Sequence, residues 1–209
     1  MPSFDSLLNA FITLLVTIDP PGLAPLFLAL TRGMSREQRR QVGLRGSILG
    51  FGILAVFALV GAGILGVLGI TLPAFRVAGG LLLFFIAFEM VFERRNERKE
   101  KAADVAITQD HILNVAAFPL AIPLIAGPGA ISATVLLSGS FPSIAGQIAL
   151  LAIIAVAILL TWMVFLLAEP VDRILGHTGR SILTRLLGVI LAALAVQFVA
   201  DGVKALIAA

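Results

Sequence analysis

The chain has 209 residues, of which 59% are hydrophobic and 13% charged, with a mean hydropathy of +1.08. That leaves too little polar surface to coat a water-soluble globule of this length, so the chain belongs in a bilayer. The formal net charge is +3, but the basic residues gather between apolar runs rather than on one face, which argues against nucleic acid, and the absence of cysteine excludes disulfides, thiol catalysis and cysteine-held metal.

A spanning helix takes roughly 20 mostly apolar residues, because the hydrocarbon core is about 30 Å thick and a helix rises about 1.5 Å per residue. Six stretches meet this requirement, at 7–30, 46–70, 74–92, 112–137, 146–168 and 182–205. Runs such as 148–160 are apolar at nearly every position instead of alternating, which predicts helices and not the strands of a barrel. Residues 1–7 lack the basic start of a signal peptide and no small-residue cleavage site follows, so the first stretch is expected to be mature structure. The expected fold is a single all-α transmembrane domain over residues 1–209.

In chain order, the first stretch is punctuated near its middle by Thr17 and Ile18-Asp19-Pro20-Pro21-Gly22. Proline within a helix removes a backbone donor and clashes with the preceding turn, which predicts a discontinuous helix with Asp19 as N-cap and Pro20 as first residue of its second half. Arg32, Arg36, Arg39, Arg40 and Arg45 fall between the first and second stretches. The third opens on Arg76-Val77-Ala78-Gly79 and carries Glu89 late, expected at the interface. Residues 93–111 mix Glu with Arg94, Arg95, Arg98, Lys99 and Lys101 and read as a solvated cytoplasmic loop. The fourth stretch holds Ile125-Ala126-Gly127-Pro128-Gly129 followed by Ala130, Ser132 and Thr134, and predicts a second discontinuous helix. Arg173 and Arg180 precede the sixth, which opens on Arg185-Leu186-Leu187-Gly188 and sets Gln197 and Asp201 one turn apart. His111 and His177 stand alone in loops and form no metal set.

Cytoplasmic loops collect Lys and Arg, so the three basic connections are expected inside and both termini periplasmic; only Arg76 and Lys204 fall on the other side. The two Pro-Gly breaks are 107 residues apart and the two Arg-x-x-Gly openings 109, in the same order. Residues 1–92 and 112–209 therefore read as a duplicated three-helix unit, with 93–111 as connection. An odd number of spans makes the second copy enter from the opposite side, giving an inverted repeat, a plan common among secondary transporters.

A half-helix N-terminus offers free N–H groups and partial positive charge, which suits a carboxylate. The break at Gly127, Gly129 and Ala130 has no acidic side chain and fits that role. Asp19, beside Pro20 and Gly22, could accept an ammonium group or take up a proton, so the two breaks together would hold a zwitterion. The bland readings are a structural cap for Asp19, close helix packing for the glycines, and bonds to carbonyls one turn back for Thr17, Ser132 and Thr134. A buried ionised Asp costs about 2.5–3.5 kcal/mol on insertion scales, whereas Ser or Asn could cap without charge. The expected function is transport of a small solute, with a proton or sodium ion as coupling partner. No catalytic residue, metal or cofactor is expected; the alternatives are an intramembrane enzyme on a lipid-linked substrate and a non-transporting scaffold. Helices two and five could pack within one chain or between copies as a homo-oligomer.

Asp19-Pro20-Pro21-Gly22-Leu23-Ala24-Pro25-Leu26-Phe27, Arg76-Val77-Ala78-Gly79-Gly80-Leu81-Leu82 and the run from Phe118-Pro119-Leu120-Ala121 through Gly127-Pro128-Gly129-Ala130-Ile131 resemble the MarC family of integral membrane proteins. The likeness covers nearly the whole chain, and the proline-rich run is its most specific part. It implies a six-helix bacterial inner-membrane protein related to transporters of small neutral amino acids such as glycine and alanine.

Overall fold

Helix starts are written in the side chains that precede them. In the computed structural model, which describes residues 3–92, 94 and 115–208, α1 (Phe4–Ile18) is capped by Ser3, α3 (Arg36–Val67) by Ser35, α4 (Leu72–Val91) by Thr71 and α6 (Ile144–Leu166) by Ser143, each hydroxyl accepting a backbone N–H. Two helices begin instead at prolines, α2 (Pro20–Leu30) and α5 (Pro128–Ser138), where the missing donor costs nothing. α7 (Ala168–Ile207) turns at Gly176, whose φ of 56° favours glycine. Between α4 and α5, Ala116–Ile125 forms a wide proline segment. Phe118 and Ile122 are extended there, and the Phe118–Pro119 and Ile122–Pro123 bonds are cis.

Among the described residues, five helical stretches are long and apolar enough to cross a membrane: Phe4–Leu30, Arg36–Val67, Leu72–Val91, Ile144–Leu166 and Ala168–Ile207. The proline segment and α5, bent by 59°, make a sixth if taken as one span. The charged connection expected at 93–111 lies outside the described residues apart from Arg94. Two expectations are corrected. Arg36, Arg39, Arg40 and Arg45 lie on α3, because Ser35 and Gln38 form a capping box that starts the helix ten residues before the apolar run. His177 lies on α7 and not in a loop. Glu89, late on α4, is buried among its neighbours, at 7% exposed.

Glycines fix how the helices approach. On α3 the buried positions Gly43, Gly46, Gly50, Leu54, Ala58, Gly61 and Leu65 recur every three or four residues and form one stripe rich in glycine. Cβ atoms built on Gly46, Gly50 and Gly61 would come within 2.5–2.7 Å of Leu120, Ile125 and Val135 in turn, so α3 runs parallel to the proline segment and α5. The pairs Gly80–Ala195, Gly188–Met90 and Gly202–Pro73 place α4 antiparallel to α7 along most of its length.

The first span is the most enclosed, with 67% of its apolar window buried against 22–39% for the other four. α1 packs on α5, α6 and α7, and α2 on α6 and α7. α3 meets the proline segment, α5 and α6, and α4 meets α5 and α7, so nearly all helix packing joins residues 3–92 to residues 115–208. Lipid-facing surface is apolar, as at Val56 and Val60 on α3, Phe85 and Phe88 on α4, and Val189 and Val196 on α7.

Candidate functional site

One residue joins α1 to α2. The Asp19 N–H donates to the Leu15 carbonyl at 2.9 Å and ends the first helix; its own carbonyl accepts from Leu23 N–H at 3.1 Å and starts the second. To do both it adopts the left-handed conformation, φ 60° and ψ 63°, and it is the one non-glycine residue with positive φ among those described. Asp and Asn tolerate that region better than other side chains. The carboxylate Oδ1 accepts from Gly22 N–H at 3.2 Å, and a Cβ on Gly22 would lie 2.2 Å from Oδ2. Gly22 is thus required because the carboxylate folds back over its backbone.

The second break differs. Ala126 N–H reaches back to the Ala121 carbonyl at 2.8 Å, closing the proline segment, and Gly127 then caps α5 with no side chain involved. A Cβ on Gly127 would meet the Pro123 carbonyl at 2.5 Å, and one on Gly129 would meet Ile86 Cδ1 at 2.2 Å and Thr17 Cγ2 at 3.3 Å. Gly129 therefore sits against Thr17, two residues before Asp19, with Ile86 of α4 closing the third side. Thr17 and Gly129 are thus neighbours in the interior of the protein.

Each residue expected at the site can now be placed. Thr17, Asp19, Pro20, Gly22, Gly129, Ala130 and Ser132 are buried, and Gly127 is half-buried. The Thr17 hydroxyl donates to the Thr13 carbonyl at 2.6 Å and the Thr134 hydroxyl to the Ala130 carbonyl at 2.7 Å, so both answer a carbonyl one turn back. Asp19 is fully enclosed, and a solute reaches it only if the spans around it part. Glu89, a second buried carboxylate, lies on α4 three residues beyond Ile86. Its burial has no local sequence signal, since it follows from how α4 is covered by its neighbours. Among the described residues no group of three or more His, Asp or Glu is placed to hold a metal ion.

Among the cavities lined by described residues, two lie at opposite ends of the bundle. One, of about 310 Å³, lies between the start of α1, the end of α5 and the C-terminal half of α7, lined by Asp5, Asn9, Ser140, Gln197 and Asp201 among others. Gln197 Nε2 donates to Asp201 Oδ1 at 2.8 Å there, the one-turn pair expected from spacing. The other, of about 260 Å³, lies between the end of α2, the start of α3 and the α6–α7 connection, lined by Arg36, Arg39, Arg40 and Glu169 over Phe27 and Phe165. Glu169 lies in the first turn of α7, before the turn at Gly176, and its Oε1 accepts from Arg39 Nη1.

A family model described as MarC family integral membrane protein matches residues 4–207. The chain is 38% identical to a UPF0056 membrane protein of Aquifex aeolicus, the alignment covering 95% of this chain and 92% of the relative. It is 36% identical to a UPF0056 membrane protein of Archaeoglobus fulgidus, covering 92% and 90%. With the UPF0056 membrane protein YvbG of Bacillus subtilis the identity is 34%, over 96% and 95%. No solved structure matches the chain.

Proposed function

The chain belongs to the MarC family of integral membrane proteins, and on that footing we propose that it is a secondary transporter of small neutral amino acids of the glycine and alanine type, coupled to a proton or a sodium ion. The observation that carries the reading is the junction of the two breaks, where Thr17 meets Gly129 beside a fully buried Asp19. Asp19 serves the substrate ammonium group or the coupling ion. The N-terminus of α5 at Gly127, Gly129 and Ala130 serves the carboxylate, with Pro20, Gly22, Thr17 and Ser132 shaping the pocket that opens when Ile86 withdraws.

The six spans are read as two inverted three-helix repeats whose first members, α1 with α2 and the proline segment with α5, are the discontinuous helices. In support, the breaks recur at one spacing in sequence. Each span of the first half also packs on its counterpart, α1 on α5, α3 on α6 and α4 on α7. The membrane is taken to be the bacterial inner membrane, with both termini periplasmic, on the strength of the basic connections. The occluded packing around Asp19 then corresponds to a state closed on both sides, and the cavity between the start of α1 and the C-terminal half of α7 marks where the path opens on that side.

Proteoliposome uptake of labelled glycine or alanine tests this, with wild type and Asp19→Asn compared under proton and sodium gradients. Asparagine keeps the cap and tolerates the left-handed backbone, so the substitution removes charge alone. Losing one charge-assisted contact costs about 1.5–3 kcal/mol, about a tenfold to hundredfold loss of uptake. Wild-type rates equal to empty vesicles under both gradients and in both directions overturn the transport reading; undiminished uptake by the variant returns Asp19 to a structural cap.

A further inference from the structure

The cavity beside α3 holds an excess of positive charge that the transport reading leaves without a use. Arg36, Arg39 and Arg40 face one carboxylate, Glu169, which takes the Nη1 of Arg39 at 2.5 Å. The Nε of Arg39 is buried and has no hydrogen-bond acceptor among the described residues. The first turn of a 32-residue helix adds the partial positive charge of its free N–H groups. The opposite wall is apolar. Phe27 stacks on Phe165 with ring centroids 4.5 Å apart, and Leu166 lines the cavity while remaining 45% exposed on the lipid-facing side.

We infer that this cavity binds the phosphate headgroup of an anionic phospholipid, with the guanidiniums of Arg36, Arg39 and Arg40 on the phosphate and the acyl chain passing along Leu166. Arginine forks match phosphate oxygens in pairs, and basic pockets between spanning helices on the cytoplasmic side are suited to acidic headgroups. A neutral amino acid is the wrong guest, because its ammonium group meets the surplus guanidiniums. None of Thr17, Asp19, Gly127 or Gly129 lines this cavity, whose apolar side is formed by Phe27 and Phe165, both at most 2% exposed. The site is therefore separate from the path between the breaks, and its test does not depend on transport.

The full-length protein in detergent is unfolded thermally, read by the fluorescence of Trp162, after addition of phosphatidylglycerol, phosphatidylcholine or inorganic phosphate at equal ionic strength. Phosphatidylglycerol alone is expected to raise the midpoint by several degrees, through preferential binding to the folded chain. The rise is lost in R36Q/R40Q, which keeps the Arg39–Glu169 pair, and kept in R32Q, whose charge lies outside the cavity. An equal rise with inorganic phosphate assigns the site to a soluble anion and overturns the lipid. A rise that phosphatidylcholine reproduces, that survives R36Q/R40Q or that R32Q abolishes equally overturns the site. If the double variant fails to fold, native mass spectrometry of R40Q replaces it: fewer retained phosphatidylglycerol molecules than wild type supports the assignment, and an equal number rejects it.

Discussion

Asp19 concentrates three tasks in one side chain: it stops α1, starts α2 and places a carboxylate at the centre of the bundle. The first two were legible in Asp-Pro-Pro-Gly, because few residues cap well and tolerate the left-handed backbone, and proline suits the position that follows. The dependence on Gly22 was not, since nothing in the spelling tells that the carboxylate folds back to within 2.2 Å of a Cβ there. Gly22→Ala is expected to destabilise the protein by about 1–3 kcal/mol through overpacking. In an Asp19→Ala background, where the obstructing oxygens are gone, the same change is expected to cost much less, and thermal unfolding of the four proteins measures the coupling. Additive costs would show that the carboxylate is not what excludes a side chain at position 22. Thr17 and Thr134 teach the converse lesson, as hydroxyls placed by sequence near a site bond to their own helices.

Helices were readable where apolar runs are long and less so where charge extends them. The start of α3 carried its signal in Ser35-Arg36-Glu37-Gln38, a capping box that a search for apolar runs passes over. The proline segment was readable only as a place where a regular helix fails, because Pro119 and Pro123 forbid ladder bonds without specifying what replaces them. Glycine placement says more about pairing. Gly188 on α7 lies where a Cβ would meet Met90 Cβ at 2.9 Å and the Ala87 carbonyl at 3.1 Å, whereas Gly63 on α3 faces open space. Gly188→Leu is therefore expected to push α4 from α7 and lower stability by about 1–3 kcal/mol, against near-neutrality for Gly63→Leu. Equal thermal midpoints for the two variants would show that the α4–α7 approach does not rest on this glycine.

For the whole molecule, composition gave the membrane and the basic connections gave an orientation, but which spans touch was not visible in a single sequence. The chain lacks cysteine, so single introduced thiols report sidedness without background. Ser3→Cys is expected to react with an impermeant maleimide in spheroplasts, and Arg32→Cys only after the membrane is opened; both positions are exposed. The reverse pattern would invert the orientation assigned from charge. Because α1 to α4 find almost all their neighbours among elements made later, a ribosome that has finished residues 3–92 has released rods with nothing yet to grip. Asp19 is then expected to stand in lipid, at a cost of about 2.5–3.5 kcal/mol, until elements of the second half cover it. A chain truncated before α7, which leaves α4 without its main partner, is accordingly expected to reach lower steady-state levels in the membrane than the full chain, as quantifying both in isolated membranes would measure.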